Sequence, residues 1–184
     1  MKISTATKIA ILNGLILSVL TLLEYFQVIS FKLILSYHWH KILHLFGVIL
    51  FVGNMFVGPF WFIYAYYSKD VKLLQFSNKL LQVTDSYLTI PGVALTVING
   101  LFLASIYGGT SKQPWLFYSI FLLLIMWALS IPLIYIQEKM YQCIENEPEN
   151  RIKLNKILVY WGIVGTIVMI PSLLVFYLML TKSV

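Results

Sequence analysis

The sequence predicts an all-α fold, a transmembrane helical bundle of about five helices in which an N-terminal helix precedes a four-helix core. Three observations support this prediction. Hydrophobic residues make up 60% of the 184 residues and charged residues only 11%, whereas soluble domains carry about 25% charged residues. Apolar segments recur along the chain, and the basic residues fall between them. Too few polar side chains remain to cover a water-facing surface, so lipid is the expected solvent.

Five apolar segments are each long enough to cross a hydrocarbon core of about 30 Å, which requires about 20 helical residues. They cover residues 9–30, 41–67, 83–107, 115–136 and 157–180. The first segment has a short basic start but no small-residue cleavage site after it. We therefore interpret it as a retained first helix rather than a signal peptide. The length fits one integral membrane domain over residues 1–184.

The basic residues predict the orientation of the bundle. Nine of the 13 Lys and Arg residues lie with the N-terminus or in the second-to-third and fourth-to-fifth connections. The positive-inside rule places these regions in the cytoplasm. We expect a multi-pass protein of the cell membrane with its N-terminus in the cytoplasm and its C-terminus outside. Because topology accounts for the net charge of +6, we expect the lipid bilayer as partner and no nucleic acid; a membrane-protein partner or a homo-oligomer stays open.

Small and weakly polar residues form a stripe on three of the segments, at about 100° per residue. They are His40, His44, Gly47, Phe51, Met55 and Gly58 on the second segment, Asp85, Thr89, Gly92, Thr96 and Gly100 on the third, and Gly162, Gly165, Thr166, Met169 and Ser172 on the fifth. Small residues allow membrane helices to approach closely. We therefore expect the three stripes to face one another.

The three histidines, His38, His40 and His44, lie together at the start of the second segment. His40 and His44 are four residues apart and share a helical face, and neutral imidazole is a ligand for haem iron, copper or zinc. The ordinary interpretation of His38 and His40 is interfacial, whereas His44 lies about one turn inside the membrane. Two histidines one turn apart cannot bind opposite faces of one haem. A second axial ligand would then be Met126 or Met169, unless the iron is five-coordinate.

The remaining polar candidates inside the segments are Glu24, Asn54, Asp85 and Asn99. We expect Glu24 to pair with Lys32 or Lys41 near the outer boundary. Asp85 lies near the inner boundary, where we expect it to pair with Lys79. The alternative is a proton or cation path that uses both acids, although they lie at opposite ends of the membrane.

Several short motifs lie on the second and third segments. The second reads K-x-x-H-x-x-G over residues 41–47 and continues through Gly53-Asn54 to Gly58-Pro59-Phe60-Trp61. The third provides Asp85, then Thr89-Ile90-Pro91-Gly92, and later Asn99-Gly100. Over residues 37–181 these motifs resemble a bacterial family of predicted integral membrane proteins that is catalogued as a domain of unknown function.

That family is distantly similar to the HemJ-type protoporphyrinogen oxidases and to the copper-resistance D membrane proteins. Both have a histidine early in a helix followed by small residues, and His44, Gly47 and Gly53 match this layout. The resemblance implies that haem b binds through His44. HemJ-type enzymes also carry a lysine inside a later helix, and the third, fourth and fifth segments here contain none.

Three functions follow from the sequence as hypotheses. The leading one is a membrane protein that binds haem b or a metal ion, with His44 as ligand and His40 beside it. The second is a non-catalytic membrane subunit or scaffold. The third is a small-solute or ion transporter that uses the polar residues Asn54 and Asp85. Whether the protein is an enzyme stays open at this stage.

Overall fold

A computed structural model describes residues 5–182 of the chain, which form α-helices and no β-strand in that range. The helices are α1 (Thr5–Tyr25), α2 (Tyr37–Ser68), α3 (Val71–Thr84), α4 (Ile90–Ala104), α5 (Pro114–Asn146) and α6 (Arg151–Thr181). A π-helical turn joins α3 to α4, so that residues 71–107 form one span. Five spans are long and apolar enough to cross a membrane. The predicted fold class is therefore confirmed.

Several helices extend beyond the predicted segments at the end that carries most of the basic residues, here termed the predicted cytoplasmic end. The third span begins at Val71 instead of residue 83, and α5 continues to Asn146 instead of residue 136. Hydropathy marks where a helix leaves lipid, but its backbone hydrogen bonds can continue into water. At the opposite end, here termed the predicted outer end, α1 stops at Tyr25 instead of residue 30.

Short capped turns replace the longer connections that the sequence predicted. The Asp70 carboxylate accepts hydrogen bonds from the backbone N of Lys72 and Leu73, at 2.8 and 3.2 Å, and caps α3. The Asn150 side chain accepts one from the backbone N of Lys153 at 3.1 Å and caps α6. Both residue types are favoured N-caps because their oxygens satisfy free N–H groups of the first turn.

The backbones of α2 and α4 approach each other where neither helix has a Cβ atom. A Cβ atom built on Gly47 would lie 2.7 Å from the Gly92 carbonyl oxygen and 2.7 Å from the backbone N of Thr96. A Cβ atom built on Gly92 would lie 2.8 Å from the backbone N of Phe51. We term this contact the α2–α4 seam. It confirms that the stripes of the second and third segments face each other.

The third stripe does not join this contact. A Cβ atom on Gly162 would meet no atom within 4 Å, and one on Gly165 would meet only a Leu133 methyl group at 3.8 Å. The long helix α6 packs along α5, and its Leu154 and Trp161 are buried in one cluster with Met140 and Ile144 of α5. The expectation that the stripe on the fifth segment would face the other two was therefore wrong.

Helix α1 lies against α4 and α5. The Gly14 backbone lies under the indole of Trp127, and a Cβ atom there would collide with that ring. The Asn13 side-chain amide donates to the Ile90 carbonyl oxygen at 3.3 Å. Leu17 is buried with Leu101 in a cluster between these helices. The N-terminal helix is therefore packed into the bundle.

The largest buried cluster lies at the predicted cytoplasmic end, where α2, α3, α5 and α6 meet. Its members are Phe62, Leu74, Leu81, Met140, Cys143, Ile144, Leu154 and Trp161. The rings of Phe62 and Trp161 are 5.6 Å apart between centroids. This cluster holds the α5–α6 pair against the α2–α3 pair and so fixes the polar groups that lie next to it.

The α2–α4 seam can be tested with an added methyl group. We expect Gly92→Ala to lower the midpoint of thermal unfolding in detergent by about 5 °C, because overpacking typically costs about 1–3 kcal/mol. Gly53→Ala is the matched control, since a Cβ atom there meets nothing within 4 Å. The control should unfold at the wild-type temperature or above it, because Ala favours a helix. Equal midpoints for the two variants would contradict this packing.

Candidate functional site

Both ring nitrogens of His40 form hydrogen bonds inside the bundle. Its side chain is only 1% exposed, and its Nε2 accepts a hydrogen bond from the backbone N of Leu35 at 3.2 Å. A backbone N–H can only donate, so the neutral ring carries its hydrogen on Nδ1. Nδ1 then donates to Asn99 Oδ1 at 2.8 Å. These contacts tie the α1–α2 loop to α4 and leave neither ring nitrogen for a metal, so they do not favour His40 as a ligand.

His44 is held by one ring nitrogen only. Its Nδ1 donates to the Thr96 carbonyl oxygen at 2.7 Å across the α2–α4 seam. In residues 5–182, its Nε2 has no hydrogen-bond partner. The ring lies against Gly100, where a Cβ atom would be 3.3 Å from Cε1. A histidine whose Nδ1–H donates to a carbonyl has its Nε2 lone pair oriented and available to a metal.

The two methionines are placed elsewhere in the bundle. The Ser172 hydroxyl donates to Met126 Sδ at 3.0 Å, between α5 and α6. Met169 lies half-buried on α6. At about 1.5 Å per helical residue, both lie about 18 Å from the outer ends of their helices, whereas His44 lies about 10 Å from the start of α2. The contacts of His44 are with α4 instead, so this arrangement does not favour either methionine as its partner ligand.

A metal site built from several side chains has little support. Within the described part of the chain, no group of three or more His, Cys, Asp or Glu residues is placed to hold a metal ion. Structural and catalytic zinc sites use three or four protein ligands. Haem iron takes four nitrogens from the porphyrin and needs one protein ligand. One histidine therefore meets the ligand requirement of haem but not that of such a zinc site.

A polar cluster joins α2, the third span and α5 in the half of the bundle nearer the predicted cytoplasmic end. The Asn54 amide donates to Asp85 Oδ1 and to Thr89 Oγ1, both at 2.9 Å. The Gln137 amide donates to Asp85 Oδ2 at 2.6 Å, and the Thr89 hydroxyl donates to Asp85 Oδ1 at 3.2 Å. We term Asn54, Asp85, Thr89 and Gln137 the Asp85 cluster. All its donors to the carboxylate are uncharged.

The local backbone explains the position of the cluster. Asp85–Thr89 is a π-helical turn, in which the backbone N of Ile90 donates to the Asp85 carbonyl oxygen. Pro91 follows directly and has no N–H to continue the regular pattern. Such turns are often found at functional sites in helices. Within residues 5–182, the Asn54 Oδ1 atom has no hydrogen-bond partner, although the Asn54 side chain is only 6% exposed.

The expected pairing of Asp85 with Lys79 was wrong. In the described residues, the ion pair is between Lys153 and Glu147. Lys79 and Asp85 are six residues apart on a continuous helical backbone, so their side chains point about 120° apart around the helix axis. The carboxylate therefore faces α2 and α5, and not the lysine.

The expected pairing of Glu24 with Lys32 or Lys41 was also wrong. The Glu24 carboxylate, only 5% exposed, accepts hydrogen bonds from the backbone N of Thr110 at 3.2 Å and from the Thr110 hydroxyl. A Cβ atom on Gly109 would lie 2.9 Å from Glu24 Oε1, and its φ of +105° favours glycine. This contact fixes the end of α1 to the α4–α5 loop.

Two functional-site candidates were missed because the fourth segment was predicted to end at residue 136. Gln137 binds Asp85, as described above. Glu138 is only 7% exposed and accepts hydrogen bonds from the Thr7 hydroxyl at 3.2 Å and the Gln142 amide at 3.3 Å. The apolar residues Met140 and Ile144 follow at helical spacing, and this pattern could have indicated that the buried face continues.

The five apolar spans and the polar groups enclosed among them define a multi-pass integral membrane protein. Residues 39–183 match the sequence model of the family described as "Predicted integral membrane protein (DUF2269)". The chain belongs to this family, whose function is unknown. No curated protein and no solved structure matches the chain. The predicted likeness to a membrane family of unknown function is confirmed, whereas the further likeness to haem and copper proteins stays a prediction.

The role of Asn99 in holding His40 gives a stability prediction. We expect Asn99→Ala to lower the free energy of unfolding by about 1–3 kcal/mol, because the buried Nδ1–H of His40 would lose its acceptor. His38→Ala is the control, since the His38 side chain is exposed and its ring contacts the Tyr37 ring. Thermal unfolding in detergent measures both. If Asn99→Ala is as stable as the control, the His40–Asn99 bond does not hold the loop.

Proposed function

We propose that the protein binds haem b within the membrane, with Nε2 of His44 as the axial ligand. One observation carries this proposal: the Nδ1 atom of His44 donates to the Thr96 carbonyl oxygen at 2.7 Å, while Nε2 has no partner in residues 5–182. A hydrogen bond from Nδ1 to a carbonyl oxygen fixes the tautomer of a histidine and raises the basicity of its Nε2. The imidazole is therefore prepared to bind iron.

The surroundings of His44 support the same proposal. The ring is half-buried on α2, and Gly100 leaves room for it against α4. His40, one turn earlier, is occupied by Leu35 and Asn99. It therefore fixes the start of α2 and does not compete for the iron. When bound, haem would supply one-electron chemistry or a site for a small ligand.

An absorption spectrum tests the haem proposal. We expect protein produced with added haem and purified in mild detergent to show a Soret band that shifts on reduction, with about one haem per chain. His44→Ala should reduce the haem content at least about tenfold, because the iron would lose its protein ligand.

His38→Ala is the matched control, because it removes an exposed histidine two turns from His44 and should keep the wild-type haem content. Folding of each variant is checked by its elution from size exclusion and its unfolding midpoint. A wild-type protein without a Soret band would refute the proposal. So would a folded His44→Ala protein that keeps its haem.

We infer a second candidate function, proton transfer in transport, from the Asp85 cluster. A carboxylate bound only by neutral donors, next to the unpaired acceptor Asn54 Oδ1, suits both protonation states. When Asp85 is charged, the Asn54 amide donates to it. When Asp85 is protonated, its hydroxyl becomes a donor, and a turned Asn54 amide offers Oδ1 as acceptor. Intramembrane acids of this kind often act in proton relays. No contact or charge arrangement in residues 5–182 supports a scaffold role in the way that the Asp85 cluster supports proton transfer.

Proteoliposomes test this second function. We expect the wild-type protein to carry protons across the membrane, measured with an entrapped pH-sensitive dye, and Asp85→Asn to reduce that rate at least about tenfold, because the amide cannot take up a proton. Glu145→Gln is the control, since it removes an exposed acid near the end of α5 and outside the Asp85 cluster, and it should leave the rate unchanged. No proton flux in the wild type, or equal flux in Asp85→Asn, would refute this function.

A further inference from the structure

A groove opens between α5 and α6 at the predicted cytoplasmic end. It has a volume of about 690 Å³. We term it the α5–α6 groove, and the residues that matter to its chemistry are Tyr135, Lys139, Glu147, Lys153, Lys156 and Tyr160. None of them belongs to the Asp85 cluster or contacts His44, so the groove is separate from both sites proposed above.

The charges of the α5–α6 groove are unbalanced. Lys153 Nζ forms an ion pair with Glu147 Oε1 at 2.6 Å. Lys139 Nζ lies 4.5 Å from the ring centroid of Tyr135. Within the described part of the chain, neither Lys139 nor Lys156 forms an ion pair with a carboxylate. Two positive charges therefore line the groove without a negative partner.

The depth of these residues matches a boundary between hydrocarbon and headgroups. About 20 helical residues cross the hydrocarbon, and we take Trp115 and Lys182, at the predicted outer ends of α5 and α6, as the opposite boundary. Counted from there along α5 and α6, the boundary falls close to Tyr135 and Tyr160, where amphipathic rings are favoured. Lys139 and Lys156, which form no ion pair in residues 5–182, lie about one turn beyond this boundary, at the level of phosphate groups.

We propose that the α5–α6 groove binds an anionic phospholipid. Lys139 and Lys156 bind the phosphate, and the tyrosine rings contact the glycerol and the first methylene groups of the acyl chains. Lysine binds phosphate as a point charge, and basic pockets between membrane helices bind anionic headgroups. Free phosphate offers the same charge but has no apolar part to contact the rings. The lipid therefore fits the whole groove and phosphate only its rim.

Lipid titration of the full-length protein in detergent tests the proposal, with bound lipid counted by native mass spectrometry. The probes are phosphatidylglycerol, phosphatidylcholine and inorganic phosphate. We expect about one phosphatidylglycerol per chain to bind saturably, and the other two probes to bind at least about tenfold more weakly. The double variant Lys139→Gln/Lys156→Gln should weaken phosphatidylglycerol binding about 25-fold, at about fivefold for each lysine.

The matched control is Lys69→Gln/Lys72→Gln, which removes the same charge at the same end of the bundle but outside the groove. It should keep the wild-type affinity within about twofold. Equal losses in the two double variants would overturn the proposal, because general attraction would then explain the binding. Equal affinity for phosphatidylcholine or for inorganic phosphate would overturn it as well, as would a wild type that retains no phosphatidylglycerol.

Discussion

The close approach of α2 to α4 is the contact on which both proposed intramembrane sites depend. The helices meet where Gly47 and Gly92 provide no Cβ atom, and a Cβ atom on Gly47 would lie 2.7 Å from the opposite backbone. At this separation the Thr96 carbonyl oxygen reaches the His44 ring at 2.7 Å. Further along the same seam, the Asn54 amide reaches the Asp85 carboxylate at 2.9 Å. A wider seam would break both contacts, because hydrogen bonds weaken steeply beyond about 3.2 Å.

The buried acids Glu24 and Glu138 and the half-buried Asp85 each accept a hydrogen bond from a neutral donor of another helix or loop. Glu24 accepts from a threonine of the α4–α5 loop, Asp85 from two amides and a hydroxyl, and Glu138 from a threonine and a glutamine. A lysine partner would also have to lose its hydration in lipid, and that cost often exceeds the attraction of the pair. The ion pair of Lys153 with Glu147 instead joins two exposed side chains beside the turn between α5 and α6.

Hydropathy predicted the number of spans and their order, because it reports which residues lipid can solvate. It did not predict the polar helix ends, since a helix persists after it leaves lipid; Gln137 and Glu138 were missed for this reason. The assumed partner of Asp85 failed because the Lys79 side chain points about 120° away from it, while Asn54 and Gln137 from neighbouring helices bind the carboxylate. Which face of α6 is buried could not be read from Gly162, because small residues permit close contact but do not require it. His44 was predicted as a ligand from its depth in the membrane and its position on a helical face. Its hydrogen bond to the Thr96 carbonyl oxygen could be found only from the structure.

The two intramembrane sites proposed here are compatible, and their separation along α2 sets how strongly they would interact. His44 and Asn54 are ten residues apart on α2, which corresponds to about 15 Å. Two unit charges at that distance interact by about 1 kcal/mol at an effective dielectric constant of about 20. A change of charge on iron held by His44 would therefore alter proton binding by Asp85 by less than about tenfold. Coupling of that size would let electron transfer at the proposed haem site bias proton transfer at the Asp85 cluster without a conformational change, provided that the α2–α4 seam keeps both groups in place.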